Sequence, residues 1–411
     1  MEGKTDRLLA LEGLRGLAAV SVVIFHTLVL FYPIMYFGFS SVQHFRFEDN
    51  LHGNPLMALI SGSFAVAVFF VLSGFVLTVG FFQTKRESVI KRLAIKRFPR
   101  LMMPALASVI FAWILISLGL SLNSQAYEIT MSSGLNLHWE TLTNFANALY
   151  EGTIGIFTSG SVFNYNSVLW TMQYEFVGSF MVFIVALIFG RSRLRAIIYG
   201  GLFLALYNTW FLGFILGMVL ADLYVNRSKV FVIHKAYYYI LLILGIGIGS
   251  YPWEMARSTI YSFITIPWLS NTQNLSFYTT IGAALVIIAV INIVPIKNFL
   301  SKRSLTQLGK YTYSLYLVHQ PILYTLGLAM FLFFYQFMGY NASVVLSGIS
   351  IIPVIIAATL LFHKLVEKPS LRFADGFYKA TRDKRYQRAL IHKTMRPIHK
   401  LVDQWNIENR L

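Results

Sequence analysis

Long apolar stretches recur along this chain, and the shortest connections between them are crowded with Lys and Arg. A helix needs about 20 apolar residues to cross roughly 30 Å of hydrocarbon, because every backbone N–H and C=O inside must be satisfied within the segment. Ten stretches fit or approach that length, at about residues 14–36, 56–82, 101–122, 168–190, 196–208, 210–225, 237–252, 276–294, 311–335 and 343–366. The expected fold is all-α: a polytopic transmembrane bundle of about ten spans. The fifth and sixth stretches are short, and a re-entrant or buried hairpin over 196–225 would reduce the count to eight without reversing any other span. With 56% hydrophobic and 12% charged residues and a mean hydropathy of +0.63, the chain carries more apolar surface than a soluble core can hide.

Charge placement sets the orientation. The chain has 34 Lys and Arg against 17 Asp and Glu. If the N-terminus is inside, every basic residue except Arg46 and Arg257 falls on an inner segment. That is a positive-inside pattern, and it puts both termini in the cytoplasm. It also explains the net charge of +17 without a nucleic-acid partner. The first apolar run reaches about residue 36, longer than a signal-peptide core and without a small-residue cleavage site, so it is expected to remain as a span. The expected location is the cell membrane (plasma or inner), with lipid as a partner. Residues 1–375 read as the membrane domain and 376–411 as a basic tail. From Lys379 onward that tail either lies against anionic headgroups or forms a solvated helix. With no cysteine there is no disulfide, thiolate metal site or cysteine nucleophile, and no metal is expected.

Two outer segments stand out. Residues 37–55 carry Gln43, His44, Arg46, Glu48, Asp49 and His52. Residues 123–167 lack Lys and Arg but hold many Asn, Ser and Thr, with Tyr127, Trp139, Phe145, Tyr150, Phe157, Phe163 and Tyr165. Aromatic faces among amide and hydroxyl groups suit a sugar, although Trp and Tyr also gather at membrane interfaces.

Ionisable residues inside apolar spans are costly and call for partners. In "LEGLRGLAAVSVVIFH", Arg15 and His26 are eleven residues apart, which is about three helical turns, so they share one face within about 20° and lie about 16 Å apart along the axis. Arg15 belongs near the cytoplasmic mouth and His26 deeper. Arg97 and Arg100 stand one turn apart in "KRFPR", where Pro99 and Pro104 fix the local path of the chain, and can each grip phosphate or lipid headgroups. Glu175 in "LWTMQYEF" lies about a turn inside the outer boundary, four residues after Thr171, and must be paired or protonated, with His26 as a candidate partner. Tyr313, Tyr316, His319 and Gln320 form a polar stripe that serves either a site or interhelical hydrogen bonds. Together these residues outline a polar shaft, open to an anionic ligand inside and to an outer loop above. From the residues alone, two functions fit the shaft: an enzyme, or a transporter or flippase for a lipid-linked sugar.

The order and spacing of "LEGLRGLAAVSVVIFH", "FFVLSGFVLT", "KRFPR", "LWTMQYEF", "YTYSLYLVHQPI" and "LVEKP" resemble the acyltransferase-three family of integral membrane O-acyltransferases, over nearly the whole chain up to about residue 375. The resemblance implies an enzyme that passes acetyl or other acyl groups to polysaccharides or similar extracytoplasmic hydroxyls. It matches the family's Arg and His to Arg15 and His26, its Arg-x-x-Arg pair to Arg97 and Arg100, its carboxylate to Glu175, its Ser-Gly turn to Ser73 and Gly74, and its late motif to Tyr316, His319 and Pro321. Glu12 stands where the pattern often has Asp, which keeps the carboxylate. No soluble esterase-like domain follows the membrane part here, so the membrane unit is expected to complete the transfer itself. The implied donor is acetyl-CoA or another acyl-CoA, its phosphates held by Arg97, Arg100 and Arg15 with Ser73 nearby. His26 is then the general base, Glu175 and Arg15 its catalytic companions, and Tyr316, His319 and Trp170 the substrate or oxyanion group, with Ser73 a further oxyanion donor.

Overall fold

The computed structural model describes residues 2–40, 42–136, 139, 144–158, 164–226 and 234–382, with side chains from Leu8 onward. Among the described residues there is no strand, and the fold is all-α. The apolar helices are α1 (Glu2–Phe31), α2 (Gly62–Thr84), α3 (Glu87–Ser117), α4 (Thr171–Phe189), α5 (Arg195–Leu206), α6 (Phe211–Val225), α7 (Lys235–Gly249), α8 (Asn271–Asn292), α9 (Thr312–Tyr335) and α10 (Tyr340–Arg382). Seven of them, α1 to α4 and α8 to α10, are long and apolar enough to cross a membrane. The middle three are shorter: α6, with 15 residues, is about 22 Å long, less than the hydrocarbon thickness.

α2 is the hub. Its whole circumference is apolar and mostly buried, and α1, α4, α6 and α8 pack around it. The contact with α6 is backbone to backbone. A Cβ on Gly74 would stand 2.1 Å from the Phe214 carbonyl oxygen, and one on Gly217 would stand 2.0 Å from that of Val71. The outer surfaces of α4, α5, α7 and α10 instead expose Ile184, Ile188, Ile197, Ile243, Ile349 and Ile352, as a lipid-facing belt requires.

The basic connections gather at one end of the bundle, which the positive-inside pattern assigns as the inner end. There Arg191 after α4 pairs with Glu87 at the start of α3, and Lys96 pairs with Asp375 near the end of α10. The third helix begins at Glu87 although its apolar run begins only near residue 101. Ile90, Leu93, Ala94 and Leu101 keep a helical period through the basic segment and pack inward, so the helix extends without being apolar all round. α10 likewise runs past its apolar part to Arg382, with Ser370 Oγ donating to Pro99 O at 3.2 Å. The rest of the basic tail, 383–411, lies outside the described residues.

At the outer end, part of the aromatic content of 123–167 is structural. Trp139 and Tyr165, expected as sugar-facing, are buried. Trp139 Nε1 donates to Tyr165 O at 2.9 Å and Tyr165 Oη to Asn144 O at 3.1 Å, because burial obliges their polar atoms to find partners. Phe145 and Tyr150 are exposed, and Phe163 lies outside the described residues. Glu151 is buried beneath this segment and accepts from the amides of Asn164 and Tyr165 at 3.2 and 3.3 Å. Burial raises its carboxyl from 4.5 to about 7.

Candidate active site

α1 and α9 bring two imidazoles together. His26 Nδ1 stands 2.9 Å from Val22 O and 3.2 Å from His319 Nε2, and His319 Nδ1 stands 3.1 Å from Leu315 O. A carbonyl can only accept, so His319 carries its proton on Nδ1 and presents a lone pair at Nε2. His26 then carries its own proton on Nδ1, shared between Val22 O and His319. This leaves Nε2 as the basic nitrogen of His26. His319 itself is fully buried behind the His26 ring.

His26 lines a cavity of about 280 Å³ near the outer end of the bundle, with Trp170, Tyr174, Trp210, Trp253, Tyr36 and Tyr316 as its aromatic walls. Gly62 and Thr272, at the outer starts of α2 and α8, place its rim. Polar groups are few and fixed. Tyr36 Oη meets Ser63 Oγ at 3.2 Å, and Tyr316 Oη donates to Val168 O at 2.6 Å with Thr171 Oγ1 at 2.9 Å. The wall is tied from outside by His52, whose Nε2 donates to Glu254 O at 3.1 Å while the ring fills the space beside Gly38, held at φ +77°. Burial lowers the His52 pKa and keeps this tie neutral at neutral pH.

Deeper along α2 and α4 lies a second cluster. Arg97 Nη2 is ion-paired to Glu175 Oε2 and donates to Glu175 O at 3.1 Å, while Ser73 Oγ donates to Glu175 Oε1 at 2.8 Å. Both oxygens of the carboxylate are therefore engaged, and the partner of His26 is His319, where the sequence suggested Glu175. Arg97 is buried, with its Nε unpartnered. Arg15 and Arg97 lie within electrostatic reach of Arg100, as do Glu367 and Tyr313. Among the described residues the side chains of Arg15 and Arg100 enter no ion pair. Glu367 is committed to Ser314 Oγ at 2.5 Å and His363 Nδ1 at 2.9 Å. The inner side of this cluster thus holds an excess of guanidinium charge.

The family model described as an acyltransferase domain, acyltransferase-3, matches residues 8–363. The chain belongs to the acyltransferase-3 family. Among curated relatives it is similar to the O-acetyltransferase PaAT-1 of Phomopsis amygdali, 26% identical over 371 residues that cover 78% of this chain and 73% of that protein. No solved structure matches significantly.

For an acyltransferase held in a membrane, the arrangement separates into three levels. His26, Tyr316 and Trp170 meet at the outer cavity with His319 behind; Ser73, Glu175 and Arg97 form the middle; Arg15 and Arg100 stand toward the inner end. The hydroxyls of Ser73 and Tyr316 are already donating, to Glu175 and Val168, so neither stands ready as an oxyanion donor in this arrangement. Sequence reasoning missed Tyr36, Trp210 and Trp253. They lie on loops or short helices where no period marks a site, and only the fold brings them to the cavity.

Proposed function

We propose that this membrane O-acyltransferase takes an acyl group, acetyl in the simplest case, from cytoplasmic acyl-CoA and delivers it to a hydroxyl of a saccharide or similar acceptor entering from the outer side of the cell membrane. The observation that carries this reading is the pairing of His26 with His319 at an aromatic cavity, above an inner cluster of arginines. Polyphosphate charge on the donor suits Arg15 and Arg100, which have charge to offer, and Arg97 once parted from Glu175. The uncharged pantetheine arm then points along the shaft toward His26.

His26 Nε2 removes the proton from the acceptor hydroxyl as its oxygen attacks the thioester carbonyl carbon. The tetrahedral adduct collapses, the C–S bond breaks, and the imidazolium returns its proton to the departing sulfur, giving ester and free thiol. His319 acts on His26 Nδ1, holding the tautomer and sharing the positive charge in the transition state. Trp170 and Trp210 offer faces on which a sugar ring stacks. The similarity to an O-acetyltransferase supports oxygen as the accepting atom and acetyl as the group.

The test is direct: purified protein with radiolabelled acetyl-CoA should release free thiol in the presence of acceptor. His26→Ala, at unchanged membrane levels, should abolish that release. Retained activity would remove His26 from the chemistry, and an intact thioester in the wild type would remove the donor. Comparing cell-surface glycans by mass spectrometry with and without the protein identifies the acceptor.

A further inference from the structure

The inner ends of α3 and α10 enclose another cavity, of about 360 Å³, which the transfer chemistry leaves unused. Ser88, Arg92 and Lys96 line it from α3, and Tyr378 and Arg382 from α10, over the apolar floor of Val89 and Leu93. Its charge is unbalanced. Asp375 is ion-paired to Lys96 and also lies within electrostatic reach of Arg92 and Lys379, so one carboxylate serves several cations. Arg92 is exposed and enters no ion pair among the described residues, and Arg382 rests its guanidinium 5.8 Å over the Tyr378 ring.

Guanidinium forks, an ammonium and two hydroxyls facing one small space form a donor set for a tetrahedral oxyanion. The location adds a direction. Arg92, Lys96 and Arg100 follow one another at four-residue spacing along α3, each about 6 Å beyond the last. The cations of the groove therefore continue up one face of the helix to the arginines of the shaft. Phe373 and Phe377, exposed and stacked with centroids 6.4 Å apart, mark α10 here as a helix lying at the membrane interface.

We propose that this groove is a phosphate-binding subsite that seats the phosphomonoester at the far end of the coenzyme head, while the diphosphate rests nearer Arg100. The proposal rests on the acyl-CoA reading. The same chemistry is presented by the phosphate of an anionic lipid headgroup, and the experiment separates the two sources.

Dissociation constants for acetyl-CoA and 3′-dephospho-acetyl-CoA are measured on the full chain in nanodiscs of phosphatidylcholine, with and without phosphatidylglycerol, and bound lipid is counted by mass spectrometry. The wild type should prefer the phosphorylated donor about tenfold, and the preference should vanish in Arg92→Gln/Arg382→Gln. Lys302→Gln/Arg303→Gln, which removes an equal charge elsewhere on the inner side, should keep it. If the wild type shows no such preference and the double variant instead loses bound phosphatidylglycerol, the phosphate belongs to a lipid. No change in either readout overturns the subsite. A wild type that binds neither donor defeats the acyl-CoA reading instead, and the lipid count alone then decides the groove.

Discussion

A histidine in a lipid-bound helix is ordinarily a liability, and what turns His26 into a usable base is the acceptor at its back. Without His319 Nε2, the Nδ1 proton of His26 loses its acceptor on α9. His319→Leu should therefore lower kcat on the order of 100-fold with little change in the KM for donor. His319→Gln, whose amide oxygen can accept the same proton, should recover part of the loss. Steady-state kinetics on both variants decide the matter, since equal losses would mean that His319 only packs. The Arg97–Glu175 pair makes a different prediction. Each is nearly buried, so Arg97→Met or Glu175→Leu alone strands a charge and should cost about 3–5 kcal/mol, whereas the double substitution should cost less than the sum. Thermal unfolding of the three variants measures this coupling. His26, His319 and Glu175 stood out in the sequence as polar residues in apolar runs, and Arg97 as half of a closely spaced arginine pair in a basic segment. Their partners did not, because His26 and His319 are 293 positions apart and only the packing of α1 on α9 joins them.

Among the elements, those built on a steady period were readable and those built on close approach were not. The inward stripe of Ile90, Leu93, Ala94 and Leu101 shows that α3 begins well before its hydrocarbon segment, a signal that a search for uniformly apolar residues overlooks. Glycines in α2 and α6 gave no hint that two backbones meet there. Gly217→Ala places a methyl 2.0 Å from Val71 O and should lower the melting temperature or abolish the folded peak in size-exclusion profiles. Gly200→Ala in α5, with nothing within 4 Å of the added carbon, should be neutral. The outer segment around Glu151 yields a pH prediction. Its folded pKa of about 7 lies above the ordinary 4.5, so between those values the folded state holds the proton more firmly than the unfolded. Stability is full below about 4.5 and declines as pH rises through about 7. Glu151→Gln should flatten that decline in melting curves recorded from pH 5 to 8, and an unchanged slope would exonerate the carboxyl.

At the scale of the whole molecule, hydropathy was enough to read an all-α bundle, and the one-sided distribution of Lys and Arg supplies the expected orientation. The helical repeat set Arg15 and His26 on one face of α1, but it did not place Glu175, which was expected near the outer boundary and is ion-paired to Arg97 at the middle level. What hydropathy could not supply was how the short helices α5 to α7 sit, because half-length apolar segments are equally compatible with crossing and with tucking against α2. The absence of cysteine makes the orientation simple to test. Asn50→Cys should react with a membrane-impermeant maleimide on intact cells, and Ser304→Cys only after permeabilisation; the reverse pattern would invert the bundle. One feature of the middle level reaches beyond catalysis. Arg97, Glu175 and Ser73 stand as a bulkhead between the inner arginines and the chamber at His26, knitted by a salt bridge and a hydrogen bond. If the donor's charge draws Arg97 away from Glu175, as the proposed function requires, the partition opens only around a bound ligand, and a membrane energised by protons keeps its seal between turnovers.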